Sequence, residues 1–212
     1  MIIDLSHSIR PKMPVYPGDS EVEFTKIHTL EKSGYAVSGI CMNSHAGTHI
    51  DAPRHFLTKG IAVNSADILE ASIGPATVID AGASLESGKI TIACLGNSVS
   101  SMKEDSRLLI HTGWNRRFGA EDYFSAHPSI TLELAKFIAD HKLKLLGIDT
   151  PSISVSESSE IHTILLSAGI VIVENLCNLE RIKGQNVFFS AAPLKLDGLD
   201  GSPVRAYAIA HD

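Results

Sequence analysis

The chain is 212 residues long, with 44 % hydrophobic residues, 20 % charged residues and a formal net charge of −6. That length suits one domain spanning residues 1–212 with a substantial core, and the acidic balance argues against a nucleic-acid partner, which needs a basic face. No apolar run approaches the roughly 20 residues required to cross a bilayer, so no membrane segment is expected.

The opening "MIIDLSHSIRP" reads as a short apolar strand and lacks the basic-then-apolar pattern of a secretory signal. "RPKMPVYPGDS" holds three prolines and a glycine and reads as a surface loop. "EVEFTKIHTL" alternates, which predicts a half-buried strand with Val22, Phe24 and Ile27 on its inner side, and "YAVSGICM" continues the pattern. Further on, "ATVIDAG", "RLLIHTG", "LKLLGID" and "IVIVEN" are nearly continuous apolar runs, as strands covered on both faces should be. Between them, "SITLELAKFIADHK" carries Leu132, Ala135, Ile138 and Ala139 at helical spacing behind a Ser or Thr N-cap. "SSEIHTILLSAG" predicts a second helix, stopped by Gly169. The closing "NVFFSAAPLKLDGLDGSPVRAYAIA" predicts two more strands around a Gly/Asp/Pro loop. The fold class is therefore α/β with a mixed sheet. Cys41, Cys94 and Cys177 are scattered and form no CxxC pair, which fits a reducing, cytoplasmic setting.

Ten histidines is a high count for this length, and three of them fall in "HAGTHIDAPRHF". As a straight strand this stretch would place His45, His49, Asp51 and His55 on one face. Residues four apart would then be roughly 13 Å apart, too far to share one ion, whose ligand atoms lie within about 4 Å of each other. As a helix it would juxtapose His45 and His49, but Gly47 and Pro53 resist a helix and Asp51 would point away. A tight turn near Gly47 brings both imidazoles and the carboxylate together. Imidazole with carboxylate is the ligand set of catalytic zinc sites, and manganese or iron accepts it too.

Asp80, Asp149 and Glu174 close apolar runs, where a carboxylate is costly unless paired or bound to a cation, and where open α/β sheets bind ligands. Asp80 and Asp149 read more simply as cap or turn residues, and Glu174 as the candidate for the site. His162 is read in the first turn of its helix, where the dipole favours the neutral imidazole. His7, His28, His111, His127, His141 and His211, taken singly, read as ordinary polar residues.

"HAGTHIDAPRHF" resembles the His-x-Gly-Thr-His-x-Asp-x-Pro-x-His signature of the cyclase family of metal-dependent hydrolases, which includes bacterial kynurenine formamidase and isatin hydrolase. "MPVYPGD", "HTGW", "GIDTPSIS" and "HTILLSAGIVIVEN" extend the likeness along most of the chain. The resemblance implies a mixed-sheet swivelling β/β/α fold. It also implies metal ligation by His45, His49, Asp51, His162 and Glu174, with Asp51 bridging where two ions bind. His55 matches the general acid/base and Tyr16 a substrate-contacting aromatic, typically Trp in the formamidases. His111 stands where Arg is commoner. One or two divalent ions, zinc first and manganese second, are implied, as is a homodimer or homotetramer.

Such a centre would acidify a water and polarise a carbonyl, and His55 could move the proton. Hydrolysis of a small amide, formamide or cyclic amide, arylformamidase-like, is the activity expected on a small-molecule substrate. A lactonase, dehydratase or cyclase using the same site, a non-catalytic metal or small-ligand binding module, and a purely structural metal site are the alternatives. The chain has no GxSxG elbow, GxGxxG, P-loop or HExxH.

Overall fold

The computed structural model describes residues 1–104 and 106–210, so His211 lies outside the described residues. In chain order they form β1 (Ile2–Asp4), β2 (Glu23–His28), α1 (Leu30–Ser33), β3 (Val37–Cys41), β4 (His49–Asp51), α2 (Ala66–Ser72) and β5 (Ile73–Asp80). There follow β6 (Lys89–Ile90), β7 (Arg107–His111), β8 (Ser129–Ile130), α3 (Leu132–Asp140), β9 (Leu145–Ile148) and α4 (Ser158–Ser167). The chain closes with β10 (Val171–Glu174), β11 (Asn186–Ser190), β12 (Gly201–Pro203) and β13 (Tyr207–Ile209). No helix among the described residues is long and apolar enough to cross a membrane.

Nine strands make one mixed sheet in the order β1-β13-β11-β5-β7-β9-β10-β4-β12. Its centre, β5-β7-β9-β10, is parallel, and the flanking pairs are antiparallel. The apolar runs of the central strands have the predicted cause. Leu108, Ile110, Leu146, Ile148 and Ile172 point into a core shared with α3 and α4. Their neighbours Leu109, Leu145, Val171 and Val173 point into a second core with α2, β1 and β13. With period-two side chains, a strand between two cores has no polar face. The sheet curls. Leu5, just past β1, donates to Ala206 O and accepts from Cys177 N, each at 2.9 Å, which ties the start of the chain to the end of β10.

α3 begins where the sequence predicts, with Thr131 Oγ1 accepting from Leu134 N at 3.3 Å. Its most buried face is Leu134, Ala135 and Ile138 rather than one centred on Leu132 and Ala139. α4 ends before Gly169, which takes φ +79°. The C-terminal stretch forms three strands, not two. The predicted half-buried strands at β2 and β3 are corrected. They pair only with each other, and Phe24, Ile27 and Ile40 are 44 %, 57 % and 62 % exposed. Alternation is present, but nothing among the described residues covers this ribbon, and of the predicted inner residues only Val22 is buried.

Candidate metal centre

The stretch from His45 to His55 is three pieces. Residues 44–48 form a turn in which Gly47 takes φ +66°, a left-handed conformation easy only for glycine. β4 follows, then a single 3₁₀ turn, Pro53–His55, with Pro53 at its start. In the antiparallel pairing of β4 with β10, His49 is opposite Glu174 and Asp51 opposite Ile172. Cross-strand partners, and residues two apart on one strand, share a face, so His49, Asp51 and Glu174 project together. The turn swings His45 over that face, and α4 delivers His162 from the other side.

The five side chains meet. His45 Nδ1 lies 2.8 Å from Asp51 Oδ1. His49 Nε2 lies 3.4 Å from Asp51 Oδ1 and 3.4 Å from Glu174 Oε2. His162 Nε2 lies 3.5 Å from Asp51 Oδ2 and 3.3 Å from Glu174 Oε1. Glu174 Oε1 also accepts from Ile153 N at 3.0 Å. Backbone carbonyls fix two of the tautomers. His49 Nδ1 donates to Gly47 O at 2.8 Å and His162 Nδ1 to Ser158 O at 2.7 Å, so each Nε2 offers a lone pair inward. His162 lies in the second turn of α4, since that helix starts at Ser158. The Ser158 carbonyl, not a first-turn dipole, sets its ring, and the expected neutral form is corrected: Asp51 and Glu174 favour the charged imidazole despite burial.

A divalent cation fits this donor set. Asp51 is fully buried, and its Oδ2 has no hydrogen-bond partner among the described residues, a costly arrangement for a carboxylate unless a cation completes it. The pairs at 3.3–3.5 Å are long for charge-assisted hydrogen bonds but suit ligands each about 2.0–2.2 Å from a common ion. Three overlapping groups, His45/His49/Asp51, Asp51/His162/Glu174 and the more exposed His45/His55/Asp200, each keep their ligand atoms within 4.8 Å, and Asp51 is common to the two buried ones.

The protonation pattern reflects the same crowding. Burial opposes charge on His45, yet Asp51 and Asp200 outweigh it and raise the imidazole to about 9. Burial likewise opposes charge on His162, and Asp51 with Glu174 raises it to about 10. Burial pushes the Asp51 and Glu174 carboxyls up, but the surrounding imidazoles hold both below the usual range. His55 is different. Burial, aided by the neighbouring His45 and His162, lowers its imidazole despite Asp51 and Glu174 nearby, which favours the neutral form. Its ring centroid is 4.0 Å from that of His45 and 5.9 Å from that of His162.

A cavity of about 270 Å³ opens over the cluster, lined also by Tyr16, Asp19, Phe56, Phe124 and Asn175. Tyr16 packs edge-on to Phe124 at 5.7 Å, and Phe56 stacks on His162 at 4.5 Å. The structure thus brings every sequence-predicted residue to one place: His45, His49, Asp51, His55, His162, Glu174 and Tyr16. The remaining described histidines, His7, His28, His111, His127 and His141, do not line the cavity. His111 pairs with Asp80 at 2.9 Å, and Asp80 also with Lys183. Asp149 accepts from Thr112 and Gly113 and holds that turn. Asp149 thus has the turn role the simpler reading gave it, whereas Asp80, read as a cap or turn residue, is instead the last residue of β5 and is held by ion pairs. Phe56 and Phe124, which wall the cavity, and Asp200, closer to the ligands, were missed in the sequence. Asp200 Oδ2 lies 2.7 Å from His45 Nε2 and 3.6 Å from His55 Nδ1. In the sequence it is one of two aspartates, with Asp197, in the loop before β12, and only the pairing of β12 with β4 carries it here.

A buried nest of imidazoles and carboxylates beneath an open, aromatic-walled cavity defines a candidate metal centre on a curled mixed sheet. The family model described as "Putative cyclase" matches residues 3–155. The chain is 33 % identical over 208 residues to kynurenine formamidase of Bacillus cereus, covering 96 % of this chain and 95 % of the relative. It is 35 % identical to that of Geobacillus thermodenitrificans with the same coverage. Among solved structures, isatin hydrolase A from Labrenzia aggregata bound to benzyl benzoate superposes with a TM-score of 0.89 at 26 % identity, over 100 % of this chain and 94 % of that one. A "predicted metal-dependent hydrolase" from Bacillus stearothermophilus superposes at 0.81 with 29 % identity, over 98 % and 97 %. The chain belongs to the cyclase family.

Proposed function

We infer that this chain is a metal-dependent hydrolase of small non-peptide amides: an aryl formamide, a simple aryl amide or a cyclic amide. The observation that carries this is Asp51, whose partnerless buried oxygen sits among inward-facing imidazole nitrogens below the cavity. His45, His49, Asp51, His162 and Glu174 would hold one or two divalent ions, zinc before manganese on this nitrogen-and-oxygen donor set. When bound, such an ion supplies the charge that acidifies a water and polarises the substrate carbonyl.

The chain's own residues do the rest. Tyr16, Phe56 and Phe124 wall the cavity and suit a flat aryl group. His55 directs Nδ1 toward Asp200, which leaves Nε2 to take the proton released as water adds to the amide carbon. The same nitrogen returns that proton to the departing amine as the C–N bond breaks, giving a carboxylic acid (formic acid from a formamide) and an amine. The lowered imidazole of His55 suits the proton-accepting step. The relatives named kynurenine formamidase and isatin hydrolase support a substrate in this class. A homo-oligomer belongs to the same reading, supported by the uncovered apolar face of the β2–β3 ribbon, as does a cytoplasmic location, supported by the unpaired cysteines.

The test is hydrolysis by zinc-loaded protein of a panel holding an N-formyl arylamine, N-formylkynurenine, isatin and an aryl lactone. Turnover of at least one amide above the lactone is expected. Cleavage of the lactone alone would reassign the chain to the lactonase alternative.

A further inference from the structure

We propose that Asp200 is a positioning residue that fixes the tautomer and orientation of His45 and links that ring to His55. The proposal rests on the metal-centre reading. An imidazole that ligates through one nitrogen carries its hydrogen on the other, and the partner of that N–H decides which is which. His45 has a carboxylate on each side: Asp51 Oδ1 at 2.8 Å from Nδ1 and Asp200 Oδ2 at 2.7 Å from Nε2.

The two carboxylates are not equivalent. Asp51 is fully buried, shared with His49 and His162, and its Oδ2, 3.5 Å from His162 Nε2, accepts no hydrogen bond among the described residues. The Asp200 side chain is 36 % exposed and already accepts from Ser44 Oγ at 3.2 and 3.3 Å. The ion therefore belongs on the Asp51 side, at Nδ1, and Nε2–H donates to Asp200.

The backbone makes this contact firm. Asp200 O accepts from Ala52 N at 2.9 Å, one residue past Asp51, so the Asp200 backbone is locked to the strand that carries the ligands. Gly201 then runs so close to the imidazole that a Cβ there would lie 2.8 Å from His45 Cε1. Asp200 Oδ2 is also 3.6 Å from His55 Nδ1, so one carboxylate oxygen stands between a candidate ligand and the candidate proton carrier. Removing it frees two rings at once.

The experiment is zinc titration, against a competing chelator, of the metal-stripped full chain and of Asp200→Ala and Asp200→Asn. Asp200→Ala should bind zinc about 10–100-fold more weakly, the usual loss for an outer partner of a ligating histidine, with unchanged stoichiometry at saturation. Asp200→Asn, whose amide oxygen still accepts the N–H, should recover most of that loss. Ser44→Ala, which loosens Asp200 without touching an imidazole, should give a smaller loss in the same direction. Unaltered affinity in Asp200→Ala would overturn the proposal, and so would Asp200→Asn as weak as Asp200→Ala. Loss of an ion from the stoichiometry of both variants would make Asp200 a ligand instead and equally overturn it. An unaltered chain that takes up no zinc would overturn the metal-centre reading and this proposal with it.

Discussion

His49 and Glu174 are direct cross-strand partners in the antiparallel pairing of β4 with β10, and their side chains meet at 3.4 Å. One strand comes from the first quarter of the chain and the other from the last. β10 is parallel to β9 on its other edge, so the register that places Glu174 is set by the central sheet. A one-residue slip would turn Glu174 to the opposite face. The candidate centre is therefore as rigid as the sheet, and only His45, on its turn, and His55, on its 3₁₀ turn, are held by irregular backbone.

The His55 side chain is 29 % exposed and packs edge-on to Phe56 at the rim of one core. Its replacement should spare the fold. His55→Ala should lower turnover by about 10²–10⁴-fold, the usual worth of a placed acid/base, while zinc content by elemental analysis stays at the parental level. Undiminished hydrolysis would remove His55 from the proton-transfer step.

Zinc affinity should depend on pH with a defined sign. In the metal-free chain His45 titrates near 9 and His162 near 10, both above the ordinary imidazole value. At pH 7 both carry protons that an incoming cation must displace. Affinity should rise with pH, by up to about tenfold per displaced proton per unit, and level off above pH 9–10. Calorimetry in two buffers of different ionisation enthalpy measures the protons released. Affinity flat between pH 7 and 9, with no proton release, would contradict this pattern.

Gly201 has no room for a side chain. A Cβ would sit 2.8 Å from His45 Cε1 and 2.8 Å from Ile50 O, and the latter is backbone of β4. Gly201→Ala should cost about 1–3 kcal/mol of stability, as overpacking does, and should weaken zinc binding because His45 must shift. Thermal unfolding and the same zinc titration check both effects. Parental values in both would mean that β12 and the ring move apart freely.

Much of this centre was legible locally. His45, His49 and Asp51 could be read together because a strand would hold residues four apart at roughly 13 Å and Gly47 and Pro53 resist a helix, which leaves a turn. Glu174 stood out because a carboxylate at the end of a buried strand needs a partner. His162 was placed in the centre by the family resemblance alone, and the Ser158 carbonyl that orients it depends on where α4 starts. Asp200 was illegible because its place depends on the pairing of β12 with β4, more than a hundred residues apart. The β2–β3 ribbon misled for a different reason: alternation marks an apolar face without saying that the same chain will cover it. The seven-residue α2, capped by Ser65, was too short to show a period.

The central claim is that a divalent ion held by His45, His49, Asp51, His162 and Glu174 drives amide hydrolysis. Its most direct test is to strip the purified chain with a chelator, then assay N-formyl arylamine and isatin hydrolysis before and after adding zinc or manganese. The stripped protein should show no turnover, bind one or two ions per chain on reloading, and regain activity in proportion to occupancy. Full activity in metal-free protein, or stoichiometric ion binding with no hydrolysis of any amide, would contradict it.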